Sequence, residues 1–101
     1  MNDLNEKITR AQDEHNVKYY ILFDNYTHGF ALQAILKEED VRCRIAPAPR
    51  AIQGDLTCGM SLLIEPEDLP AVEEVIERRR PTFHAIRPLA GQINPHRDKY
   101  C

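Results

Sequence analysis

Residues Lys18–Asp40 read KYYILFDNYTHGFALQAILKEED, and the fold turns on how this stretch divides. Lys18-Tyr19-Tyr20-Ile21-Leu22-Phe23-Asp24 is a nearly continuous apolar and aromatic run. Its length suits a strand, and its lack of alternation suits a central strand covered on at least one face. Asp24-Asn25 ends the run. A helix is expected over about 27–39, with Asn25 or Thr27 as its N-cap. Phe30, Ala31, Ala34 and Ile35 are read as its apolar face, widened by Leu32 and Leu36. The exit, Lys37-Glu38-Glu39-Asp40, is mostly acidic and opposes the helix dipole, so that end is expected to be solvated.

Downstream, residues 41–46 alternate, with Val41, Cys43 and Ile45 on one face and Arg42 and Arg44 on the other. That pattern predicts a half-buried strand. Pro47, Pro49, Gly54 and Asp55 mark a long loop. Met60-Ser61-Leu62-Leu63-Ile64 is the next strand. Glu65-Pro66-Glu67-Asp68 opens a helix running to about Arg80, with Leu69, Val72, Val75 and Ile76 as its buried stripe. Acids begin this helix and three arginines end it, which suits the dipole at both ends. Pro81 stops it. Thr82–Arg87 is a fourth strand, and Pro88 onward reads as a tail. Residues 2–15 carry Leu4, Ile8, Ala11 and His15 on a narrow stripe and are read as a short helix.

Strand-helix-strand-strand-helix-strand is the split βαβ pattern of the ferredoxin-like α+β sandwich, and right-handed crossovers leave few alternatives. The expected organisation is an N-terminal helical extension over 1–16, a ferredoxin-like domain over 17–88 and a C-terminal tail over 89–101. The sheet face bare of helices and the sheet edges invite cover by the two extensions, so self-association as a homodimer is expected.

Composition excludes several functions. A chain of 101 residues makes one domain. Such a domain buries roughly two-thirds of its unfolded surface and needs neither disulfide nor metal to fold. The formal charge of −3 argues against nucleic acid, whose phosphates need a basic face. No apolar run approaches the roughly 20 residues of a membrane span, and the N-terminus lacks an apolar signal region. No membrane partner is therefore expected, and the expected location is the cytoplasm. The cysteines, Cys43, Cys58 and Cys101, are odd in number and widely spaced, so thiols are expected. Cys58, His84, His96 and Cys101 match no metal-binding spacing. No cofactor and no metal are expected, and no phosphate loop, Ser-His-Asp set or carboxylate pair is present.

Cys58 is the residue best placed for chemistry. It stands in Asp55-Leu56-Thr57-Cys58-Gly59-Met60, where the loop turns into a strand. The topology brings this loop to the same end of the sheet as Asn25, Tyr26, Thr27, His28, Arg50 and the cluster Arg78, Arg79 and Arg80. A helix start offers free N–H groups and partial positive charge, which favour a thiolate. Gly59 removes a side chain beside the sulfur. His28 is a candidate proton acceptor for it. Arg50 and Arg78–Arg80 would attract an anion or an acidic partner. Cys43, flanked by Val41 and Ile45, reads as core.

Tyr20-Ile21-Leu22-Phe23-Asp24, Thr27-His28, Ala31-Leu32, Pro47-Ala48-Pro49-Arg50, Cys58-Gly59-Met60-Ser61-Leu62 and Pro66-Glu67-Asp68 together resemble a bacterial selenium/sulfur carrier protein-like family. The resemblance covers about residues 18–88. It implies that Cys58, with Gly59 beside it, is a carrier thiol. That thiol would relay sulfur or selenium, as persulfide or selenosulfide, between donor and acceptor proteins of sulfur and selenium metabolism. The alternative is a non-catalytic partner or regulatory module of a larger enzyme complex. An independent enzyme is the weaker reading, since no second catalytic group is convincingly placed.

Overall fold

The computed structural model describes residues 7–9 and 17–90. The elements are β1 (Val17–Leu22), α1 (Tyr26–Glu38), β2 (Arg44–Pro47), a one-turn helix α2 (Arg50–Gln53), β3 (Met60–Ile64), α3 (Leu69–Arg79) and β4 (Ala85–Ala90). A 3-10 turn, Pro66–Asp68, leads into α3. The strands form one sheet in the order β2-β3-β1-β4, with every neighbouring pair antiparallel. The result is a mixed α+β fold built on a four-stranded antiparallel sheet.

β1 and β3 are central, which is why both read as near-continuous apolar runs. Ile21 pairs with Leu62 on one side and Ile86 on the other, and Tyr19 pairs with Ile64. These side chains join Leu32 and Leu36 of α1 and Leu69, Val72, Val75 and Ile76 of α3 in one core. The stripe read for α3 is thus the one it buries. On the opposite face of the strands, Tyr20, Leu22, Ser61 and Ala85 are buried as well. The Ser61 hydroxyl is satisfied there by the Ala46 and Pro47 carbonyls, 3.1 and 3.3 Å away.

α1 differs from expectation in its orientation. Its buried residues are Gly29, Leu32 and Leu36, whereas Phe30, Ala31 and Ala34 are exposed. The cause is a close approach to the sheet. A Cβ at position 29 would lie 2.8 Å from Sδ and Cε of Met60 and 3.2 Å from the Phe23 ring. The helix turns its glycine, not its phenylalanine, toward β3. Asn25 is the N-cap, its Oδ1 accepting from the His28 amide at 3.0 Å. At the other end Asp40 adopts φ 63°, and Val41 N donates to the Leu36 carbonyl, so the backbone caps itself as Val41 folds against the core.

Several boundaries move. β2 begins at Arg44 rather than residue 41, and the loop after it contains α2. β4 continues through Pro88 to Ala90, although Pro88 was read as the start of the tail. β4 is an edge strand, and its outer edge carries the Ile86 carbonyl that accepts from Thr9 N at 2.9 Å. Pro88, two residues on, faces the same way, so its missing N–H costs the sheet no bond. The helix read over 2–15 does not run unbroken, because Ile8 forms a parallel bridge to Ile86. The rest of that segment and the tail, with His96 and Cys101, lie outside the described residues. Among the described residues no helix is long and apolar enough to cross a membrane.

Two substitutions test this packing. Leu62, fully buried between β1 and β2, should lose roughly 2–4 kcal/mol as Leu62→Ala, read from denaturant midpoints. Gly29→Val forces α1 off Met60 and Phe23 and should cost about 1–3 kcal/mol, read the same way.

Candidate functional site: a buried thiol before β3

The loop between β2 and β3 closes on itself at both ends. Ala48 N donates to the Gly59 carbonyl at 2.9 Å, continuing the β2–β3 ladder to the loop's base. Pro49 starts α2 in extended conformation, and Gly54 ends it with φ 63°, a conformation that favours glycine. From α2, Gln53 reaches across the rest of the loop. Its Nε2 donates to the Leu56 carbonyl at 3.1 Å and to the Cys58 carbonyl at 3.0 Å. No sequence pattern marked Gln53 for this role. The signal was only a long amide side chain directly before Gly54, five residues from Cys58.

Cys58 is 5% exposed and belongs to the core cluster. Its Sγ donates weakly to the Met60 carbonyl at 3.8 Å. The thiol at the turn from loop to strand is therefore buried, not exposed. The neighbours at the α1 start are partly as expected. Tyr26 Oη lies 3.6 Å from where a Gly59 Cβ would stand, and Gly29 lies against Met60. The α1 N-terminus therefore does flank Cys58-Gly59-Met60. The expected Cys–His hydrogen bond is not made through Nδ1 of His28, which is buried and unpartnered. That nitrogen holds unused hydrogen-bonding capacity in the first turn of α1.

The arginines do not gather where the topology suggested. Arg78 donates to both Glu39 oxygens at 2.9 and 3.3 Å, and Arg79 donates to Glu39 at 2.8 Å and Glu38 at 3.1 Å. Their guanidinium groups thus sit at the C-terminal end of α1, about 20 Å along the helix from Asn25. The acidic exit of α1, expected to be simply solvated, is neutralised by α3 instead. Arg80 is exposed in left-handed conformation at the α3 cap, and Arg50 is exposed at the start of α2. Of the candidate anion-binding residues, only Arg50 is on the thiol's own loop.

The second described thiol is in different surroundings. Cys43 is half-buried, and burial pushes its thiol pKa up. It lines a cleft of about 350 Å³ with Gln33, Lys37, Asp40, Val41 and Arg42. Arg42 is not a free cation there, because it pairs with Asp68 at 3.0 Å and Glu67 at 3.5 Å.

With β1 leading into α1, the Pro-Ala-Pro-Arg segment before α2, and Cys-Gly opening β3, the order of motifs matches one family model over residues 18–87. The chain belongs to the family described as "Putative Se/S carrier protein-like". The matched span begins within β1 and ends within β4, so it takes in most of β1, all of β2 and β3, the first half of β4, both longer helices and the Cys58 loop. No curated protein and no solved structure matches the chain.

The Glu39 cluster carries a pH dependence. Hydrogen bonds from Arg78 and then Arg79 lower the Glu39 carboxyl from 4.5 to about 2. A depressed folded-state pKa contributes stability that is present above pH 4.5 and lost as pH falls through 2. Wild type should therefore exceed Glu39→Gln in thermal midpoint at pH 6, and the gap should close between pH 4.5 and 2. The pair is exposed, so added salt should narrow the gap at pH 6 too.

Proposed function

We propose that this protein is a ferredoxin-like carrier that relays sulfur or selenium between donor and acceptor proteins on Cys58. The strand order read from the other edge, β4-β1-β3-β2 with antiparallel neighbours, supports the ferredoxin-like reading. The observation that carries the functional reading is Cys58 itself. It is a thiol at the junction of a loop and a central strand, beside Gly59 and the start of α1, inside the span that matches the carrier-like family.

The chemistry needs no oxidant. The Cys58 thiolate attacks the terminal sulfur of a persulfide on the donor protein. A new S–S bond forms at Cys58, the donor's own S–S bond breaks, and the donor thiolate leaves with the proton that Cys58 gave up. Delivery is the same displacement in reverse, onto an acceptor thiolate. Selenium transfers identically as a selenosulfide. A carrier of this kind needs no substrate pocket. A buried position shields the labile sulfur from water and stray thiols between the two encounters, and it requires the loop to move when a partner docks. The exposed Tyr26, whose Oη lies beside Gly59, and the exposed Arg50 on the same loop are groups a docking protein would meet.

A second reading has its own support. The burial of Cys58 among core residues is also what a structural cysteine shows, and the domain would then be a non-catalytic partner or regulatory module of a larger enzyme. One experiment separates the two. Incubated with a persulfide-bearing donor protein and freed of reductant, the carrier should gain the mass of one sulfur on the peptide containing Cys58. Cys58→Ser should gain none there. A wild-type protein that never retains sulfur on Cys58 sinks the carrier reading and leaves the module.

A further inference from the structure

An edge strand leaves its outward backbone groups open to a further strand. On β4 those groups are met by residues 7–9. Ile8 bridges Ile86 in parallel orientation, and Thr9 N donates to the Ile86 carbonyl at 2.9 Å. Each of the three side chains also has its own receiver. Lys7 Nζ donates to the Phe83 carbonyl at 3.2 Å and stands 4.8 Å from the centre of the Phe83 ring. Ile8 packs half-buried against the core. Thr9 Oγ1 accepts from Arg87 at 3.4 Å. In strand addition, main-chain pairing gives affinity and side-chain receivers give selectivity. We propose that the outer edge of β4 is a docking site for an extended segment of a partner protein, carrying a lysine, an aliphatic residue and a hydroxyl residue in succession, and that residues 7–9 are its tethered occupant.

The receivers and the arm differ in standing. Phe83, Ile86 and Arg87 all lie inside the span that matches the family, 18–87, whereas Lys7, Ile8 and Thr9 lie outside it. The site is thus part of the family domain, and its present occupant is an addition to that domain. The arm is also held thinly. Lys7 and Thr9 are exposed, and Ile8 is only half-buried. A short outermost segment of this kind opens locally at a small fraction of the global stability. A partner segment of the same chemistry competes with it for the Ile86 carbonyl, and the fraction of time the arm is away sets the partner's apparent affinity. A second copy of this chain is the weaker competitor. Its arm is tethered beside its own β4, and that high effective concentration holds it there. β4 stands two strands away from β3 and the Cys58 that precedes it, so this edge binds whether or not that thiol carries sulfur.

The probe is a fluorescein-labelled peptide with the sequence of residues 5–11, Asn-Glu-Lys-Ile-Thr-Arg-Ala, titrated with full-length protein and followed by anisotropy. Two variants unseat the arm within the full chain. Ile8→Asp removes its apolar anchor, and Thr9→Pro removes the amide that Ile86 accepts. Thr9→Pro leaves every core side chain in place, so a folding failure of Ile8→Asp, read by circular dichroism, does not remove the test. The unseated variants should bind the peptide about tenfold more tightly than wild type does. A peptide with Lys7→Glu should bind them about tenfold more weakly, because it loses both contacts at Phe83. No binding by a folded unseated variant overturns the proposal. Equal affinity for wild type and variants overturns the arm as occupant. Equal affinity for the Lys7→Glu peptide overturns the selectivity. A wild-type dimer in light scattering that Thr9→Pro converts to monomer overturns the choice of a different protein over a second copy.

Discussion

Everything near the thiol depends on how closely α1 approaches β3 at Gly29. Met60 Sδ and Cε occupy the space a side chain at position 29 would need. This contact sets the height of the helix above the sheet and its rotation about its own axis. Once Gly29 faces Met60, Leu32 and Leu36 follow into the core at helical spacing, and Tyr26 and Phe30 turn outward. It also brings Tyr26 beside Gly59, so Cys58 lies between a helix start and a strand start.

Charge organises the far end of α1. Two acids at a helix C-terminus are unfavourable by themselves, because the dipole already presents partial negative charge there. Arg78 and Arg79 neutralise that environment, and Glu39 accepts from both. The same clamp withdraws both guanidinium groups from the thiol. Cys58 is consequently surrounded by apolar side chains and backbone carbonyls, not by a cationic cluster.

How much could be read in advance varies with the kind of residue. The central strands were legible because burial on both sides demands uninterrupted apolar runs, and Tyr19–Phe23 and Met60–Ile64 supply them. The α3 stripe was legible because Leu69, Val72, Val75 and Ile76 are the only large apolar residues on a helix whose remainder is Pro70, Ala71 and charged side chains. α1 has apolar or small residues on nearly every face, so its periodicity does not choose one, and a glycine scores as no signal although it is the closest contact. Pro88 misled because proline usually ends a strand, a rule that relaxes on an outward-facing edge.

By itself, the sequence determined the order of strands and helices, the location of the caps, the candidate thiol and the family resemblance. These rest on local patterns: apolar periodicity, Asn25 before a helix, Pro81 after one, Cys-Gly at a strand start. Tertiary structure alone decided that Cys58 is buried, that Gln53 bonds the Cys58 carbonyl, that Arg78 and Arg79 serve Glu38 and Glu39, and that Ile8 extends the sheet at Ile86. Most of these are contacts between residues far apart in the chain. They depend on the angle and distance at which packed elements meet, and those are set by side-chain volumes summed across the whole core, which no local window of sequence contains.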